Sequence, residues 1–170
     1  MKRAFCILFA AMLLFGLFSA CAKPSKANIY DHPRFALELP ENWERVDSEG
    51  VLSFAERGDA VNSSCLTFYV TEKSPYFDEL TADDYETYAP RYTGFSSVSN
   101  VEKENIRIDG WKAHRVSMKA KADGKTVSIV FYAVDAEQTL FFVVLQRSGD
   151  NCIEFFDSAM KRVDIKKYKA

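Results

Sequence analysis

The chain has 170 residues, and its first 20 hold two cations, no acid and 16 apolar or aromatic residues, which leaves 150 residues for one folded domain. Those 150 carry 20 basic and 24 acidic residues, a net charge of −4, which argues against a nucleic-acid-binding surface. With 10 Phe, 8 Tyr and 2 Trp among them there is ample aromatic area to bury, and disorder is excluded for most of the length.

Lys2 and Arg3 form a short positive start, and residues 4–17 are apolar apart from Gly16. This is the pattern of a secretory signal peptide over 1–20, too short to span about 30 Å of hydrocarbon and closing in the small pair Ser19-Ala20. The next residue is Cys21, and Leu17-Phe18-Ser19-Ala20-Cys21 resembles the lipobox of bacterial lipoproteins, with Phe18 where that family most often has Leu. The resemblance implies that the Cys21 thiol receives a diacylglyceryl group, that the leader is cut before it, and that the new amine takes a fatty acid such as palmitate. The alternative is an ordinary cut after Ala20 that leaves Cys21 as a thiol. Two or three acyl chains anchor a protein durably without a transmembrane helix. Residues 21–29, with Pro24 and several polar positions, then read as the lipidated N-terminus and a short tether, followed by the domain over 30–170. The expected location is the outside of the cell envelope. In a two-membrane cell, Ala22 in place of Asp points to the periplasmic face of the outer membrane by the family's sorting pattern; otherwise the site is the outer face of the cell membrane.

Cys6 leaves with the leader and Cys21 is assigned to lipid, so Cys65 and Cys152 remain in the domain. An exported compartment permits a disulfide between them. Closing a loop of about 90 residues would contribute on the order of 4–5 kcal/mol in the chain-entropy picture, if the sulfurs are in reach. The other reading is two separately buried thiols acting as small hydrophobes.

The domain opens with short β-type runs over 35–39, 40–43 and 51–55, separated by Pro and Gly, as in a meander. In 64–71, Leu66, Phe68 and Val70 alternate with Cys65, Thr67, Tyr69 and Thr71, the pattern of a strand. The period then changes. Leu80, Tyr85 and Tyr88 recur near helical spacing, and Thr81 followed three residues later by Asp84 predicts an N-cap, with a helix over 81–90. Asp83, Asp84 and Glu86 fit the positive end of that helix dipole rather than a metal site. Tyr76, Phe77 and Tyr92 flank the helix and are candidates for an exposed aromatic patch, without being assigned as a site.

From 97 to 146 the pattern is β throughout, divided by turns at Asp109-Gly110, Asp123-Gly124 and 135–138. Val127, Ile129, Phe131 and Ala133 alternate with Val130, Tyr132 and Val134, so both faces of that strand are apolar, and 140–145 has no polar position. Such strands need cover on both sides of the sheet. One source of cover is the helix near Thr81. The other is an amphipathic helix over 151–163, with Ile153, Phe156, Met160 and Val163 in a stripe and 148–151 supplying its start. Lys161, Arg162, Lys166 and Lys167 are read as compensating its negative end, with contact to anionic lipid as the alternative. The expected fold class is α+β: a mainly antiparallel sheet of about seven strands with helices on both faces, a three-layer sandwich.

Over about 30–167 this order of parts resembles the PsbP-like, DcrB-like superfamily. The residues that carry the resemblance are the opening Phe35-Ala-Leu-Glu-Leu-Pro-Glu-Asn-Trp43, the middle helix after the fourth strand, Asp109-Gly110 before a long hairpin, and the striped closing helix. What that superfamily's members share is binding, so the resemblance implies a non-catalytic, protein-binding or assembly role in the envelope. A small-molecule or lipid binder with a pocket between sheet and helices is the second expectation.

The residues themselves offer little chemistry. His32 and His114 are the only histidines, neither paired at metal-ligand spacing, and both read as structural. There is no Gly-x-Ser-x-Gly elbow and no phosphate-cradling glycine loop. No catalytic residue, metal or cofactor is expected, and the only partners expected are the membrane through Cys21 and an envelope protein. Trp43 is expected at the sheet edge or beneath the closing helix, and Trp111 partly exposed.

Overall fold

A computed structural model describes residues 28–48, 51–57, 64–147 and 151–167. The expected signal peptide, Cys21, the tether up to residue 27 and the 148–150 part of the last helix's approach lie outside the described residues. The chain runs β1 (Asn28–His32), β2 (Phe35–Leu39), β3 (Trp43–Ser48), β4 (Val51–Glu56), β5 (Cys65–Thr71), α1 (Ala82–Thr93), β6 (Ser99–Ile108), β7 (Trp111–Ala122), β8 (Lys125–Asp135), β9 (Thr139–Gln146), α2 (Cys152–Ala159) and β10 (Asp164–Ile165). Seven strands form one antiparallel sheet in the order β3-β4-β5-β9-β8-β7-β6, and β1-β2-β10 form a second, small one.

The two-sided apolar pattern of β8 sets the layers. Val130, Tyr132 and Val134 face one core with Trp43, Phe68, Phe142, Phe156 of α2, and Phe35 and Leu37 of the small sheet. Val127, Ile129, Phe131 and Ala133 face a second core with Tyr85 and Ala89 of α1. The fold is therefore the expected α+β sandwich with helices on both faces, to which the small sheet is an addition. β1 takes in Asn28 and Ile29, which the sequence reading placed in the tether; β1 gains its order from pairing along all of β2.

Two Asp-Gly turns fix the long strands. Asp109 and Gly110 (φ 49° and 78°) join β6 to β7, and Asp123 and Gly124 (φ 52° and 74°) join β7 to β8. Positive φ at both central residues is the type I′ hairpin, whose twist matches that of the strands. The outer strand β6 is irregular: its register against β7 shifts between Ser99 and Glu102, and Asn100 has a φ of 53°.

The closing helix is shorter than its sequence stripe. It ends at Ala159, where Arg162 N–H bonds the Ala159 carbonyl at 2.9 Å and turns the chain into β10. Met160 and Val163 are still buried, so the stripe was a core pattern carried past the helix end. The first turn of α2 is capped by Gln146, whose Oε1 accepts from Ile153 N–H at 2.8 Å. The basic tail is also corrected: no basic residue lies in the last turn of α2, and Arg162 pairs with Glu38 of β2 while Lys166 pairs with Asp31 of β1. Those two cations face acids of the small sheet rather than compensating the helix dipole.

Candidate binding groove

After β5 the chain crosses an end of the sheet and is pinned there. Lys73 Nζ bonds the Ala136 carbonyl at 3.1 Å and lies 3.2 Å from Asp135, and Ser74 N–H donates to Thr139 Oγ1 at 3.4 Å. A 3-10 turn, Phe77–Glu79, follows, and α1 starts at Thr81, whose Oγ1 accepts from Asp84 N–H while Asp84 Oδ2 accepts from Thr81 N–H at 2.8 Å. This is the expected capping box; Thr81 Oγ1–H also donates to Asp84 Oδ2 at 2.8 Å, and the two Thr81 donors, N–H and Oγ1–H, hold Asp84 below the ordinary carboxylate range. The helix continues three residues beyond the expected end, through Pro90 in its last turn, and stops at Gly94 (φ 73°).

Helical spacing then places Tyr85, Tyr88 and Tyr92 on related turns. Tyr85 is buried, and its hydroxyl shares a 2.8 Å hydrogen bond with His114 Nδ1. Phe77 stacks on the same imidazole, with ring centroids 4.2 Å apart and planes 15° from parallel. Burial, seconded by the Lys103 charge, lowers the His114 pKa to about 4, so the ring is neutral near pH 7. Burial pushes the Tyr85 hydroxyl well above its usual value. Tyr92 stacks on Phe141 at 5.1 Å and meets Phe131 and Tyr69 edge-on, while Tyr69 Oη donates to the Tyr92 carbonyl at 3.0 Å.

Between α1 and the β5–β9 end of the sheet these rings leave a concave cavity of about 290 Å³. Phe77, Tyr85, Tyr88, Tyr92, Phe131 and Phe141 line it, with Thr71, Glu72, Ser74, Arg91 and Thr139 as its polar groups. Tyr88 is 49 % exposed at the mouth, and the Arg91 guanidinium lies 5.9 Å from the Tyr92 ring centroid. The arrangement can hold an apolar ring. A larger cleft, about 550 Å³, opens beside His114 at the β6–β7 edge, where Lys112 pairs with Asp78 and Arg107 donates to the Gly110 carbonyl at 2.8 Å.

The other residues singled out in the sequence are dispersed. Cys65 lies on the same face of β5 as Tyr69, whereas Cys152 belongs to the core under α2. The sheet separates the two sulfurs, so they carry separate thiols and the disulfide option is not realised in the structure. Burial raises the Cys65 thiol. His32 Nδ1 accepts from Arg34 N–H at 3.2 Å, and its ring packs on Phe35 and Phe68, a structural role. Trp43 packs beneath α2 at 5.3 Å from Phe156, as expected, and Trp111 is half-buried against the same core. Of the aromatic patch, Tyr76 is exposed at 64 %, Tyr92 is half-buried, and Phe77 is buried, because the 3-10 turn aims it at His114. Sequence reasoning passed over Arg91, Phe131 and Phe141 as groove residues; their strand and helix patterns read only as core or surface.

Among the described residues no group of three or more His, Cys, Asp and Glu is placed to hold a metal. No helix among them is long and apolar enough to cross a membrane. No family model and no curated protein matches the sequence. Solved structures do. Cyanobacterial PsbP (CyanoP) from Synechocystis sp. PCC 6803 superposes with a TM-score of 0.65 at 14 % identity, covering 89 % of this chain and 100 % of that one. The fold is PsbP-like. LpqN of Mycobacterium tuberculosis, described as involved in cell envelope biogenesis, is similar with a TM-score of 0.53 at 11 % identity, over 85 % of this chain and 88 % of that one. A Bacteroides thetaiotaomicron protein gives a TM-score of 0.55 at 11 % identity, over 84 % of this chain and 49 % of the other. At these identities the PsbP-like likeness is one of fold.

Proposed function

We propose that this PsbP-like protein is a lipid-anchored accessory protein of the cell envelope that acts by binding another protein, not by catalysis. The observation that carries the binding role is the concave, aromatic-lined groove of about 290 Å³ with Tyr88 half exposed at its mouth. The anchor reading rests on Leu17-Phe18-Ser19-Ala20-Cys21 after an apolar leader. A fold shared with a cell-envelope biogenesis protein is in keeping with that location. A compact small molecule in the same groove is the second reading, favoured by a volume at the lower end of ligand pockets, about 300–1,000 Å³.

The test is to cross-link the protein in its own envelope, purify it and identify attached species by mass spectrometry, beside Cys21→Ala and Tyr88→Ala variants. A recurrent protein partner that is lost in both variants is the expected result. Recovery of the protein alone overturns the protein-binding role, and recovery of a small ligand moves the function to the second reading.

A further inference from the structure

The groove and the point where the chain enters the domain lie at opposite ends of the main sheet. Asn28, the first described residue, donates from Nδ2 to the Glu41 carbonyl at 3.3 Å. From there Asn42 reaches Glu56 at 2.7 Å, Trp43 pairs with Glu56, Ala55 with Cys65, and Cys65 with Leu145. The groove sits at the other end of β5, where Thr71 pairs with Thr139, and on the other face, under α1. Seven residues at about 3.3 Å each place those ends roughly 20 Å apart. The stretch from Cys21 to Asn28 reaches at most about 25 Å.

We infer that this groove receives a single aromatic side chain presented on an extended segment of a partner protein that carries charges of both signs beside the ring, at the end of the sheet opposite Asn28. The inference rests on the anchored, protein-binding reading above and names what the groove takes. Three observations select that occupant. The volume accommodates an aromatic ring. The rim offers one charge of each sign, Arg91 from α1 and Glu72 after β5, and among the described residues neither has an ion-pair partner. Tyr88, 49 % exposed, carries aromatic surface from the cavity out to solvent, where a chain flanking the ring would lie and a free ring compound would not reach. A tether that reaches about 25 Å lets the groove end, about 20 Å from the Asn28 end, face the bilayer as well, so lipid is tested below as the competing occupant.

The experiment titrates the mature protein in detergent with capped Glu-Phe-Lys and Lys-Phe-Glu tripeptides, the same peptides with Ala at the centre, and free phenylalanine, following backbone amide shifts. Saturable shifts over residues 85–92 with one ring peptide are expected in the millimolar range, at least about tenfold weaker with the alanine peptide and with Tyr88→Ala. Exchanging the rim charges (Arg91→Glu with Glu72→Lys) should invert the preferred peptide order, a change that misfolding does not mimic. No saturable shift with either ring peptide, or free phenylalanine binding as tightly as the peptides, overturns the inference. So does protection of the groove by phosphatidylglycerol vesicles. Membrane fractionation of Cys21→Ala separates the two levels: if that variant still sediments with membranes while the peptides bind, the anchor reading fails and the ring-binding groove remains.

Discussion

The Tyr85 hydroxyl and His114 Nδ1 meet at 2.8 Å inside the core under α1, 29 residues apart in sequence. With Phe77 stacked on its face and little of the ring exposed, burial penalises the charged imidazolium, and its pKa falls to about 4 from 6.5. Between those values the unfolded chain binds a proton that the folded chain refuses, so stability rises with pH from about 4 to about 6.5 and is lost on acidification through the same window. His32 is shifted in the same direction, by burial and by Arg34 and Lys166. Thermal melting at pH 5 against pH 7.5 should show a loss on the order of 2 kcal/mol, and His114→Gln should flatten the slope. An unchanged profile in that variant would remove His114 as the cause.

Asp157 ties α2 to the sheet. Its carboxylate accepts from Arg115 Nε at 2.6 Å and Nη2 at 2.9 Å, and from Tyr132 Oη at 2.7 Å. Burial alone would raise its pKa, but the Arg115 and Tyr132 donors and the Arg115 charge outweigh it and hold the group low. Asp157→Ala leaves a partly buried guanidinium and a buried phenol without their acceptor, and should cost about 2–3 kcal/mol in urea unfolding. Tyr132→Phe should cost about 1 kcal/mol. Equal losses from the two changes would contradict the arrangement.

Thr81→Ala removes one half of the capping box and should cost about 1 kcal/mol. Hydrogen exchange should report the loss in the first turn of α1 and leave β7 and β8 unaffected.

Cys65 and Cys152 lie on opposite faces of the sheet, so reductant should leave the melting temperature unchanged, and both thiols should react in denaturant without prior reduction. A mass lower by two hydrogens in the unreduced protein would show the opposite.

Local signals in the sequence were accurate wherever a residue's neighbours decide its conformation. Thr81 with Asp84, and the Asp-Gly pairs at 109 and 123, carry their own hydrogen-bond and backbone preferences and ended up where those preferences put them. The two-sided apolar pattern of β8 foretold a covered sheet. Features decided by distant partners were not legible. β10 is two residues long and exists because β2 pairs with it, and Asn28–His32 is too polar to read as a strand without that same partner. The groove is of this second kind, since Tyr88 and Arg91 come from α1, Phe131 from β8 and Phe141 from β9, and only the fold brings these segments together.

The bulged start of β6 bears on how copies of the domain meet. With Asn100 at a φ of 53° and the register displaced between Ser99 and Glu102, the β6 edge of the main sheet lacks a straight row of donors and acceptors, and Glu102, Lys103, Glu104 and Arg107 stud the rest of it with charge. Sheet-to-sheet pairing along β6 is therefore opposed by the strand itself. Molecules crowded side by side in a plane can collide on that edge repeatedly and separate again.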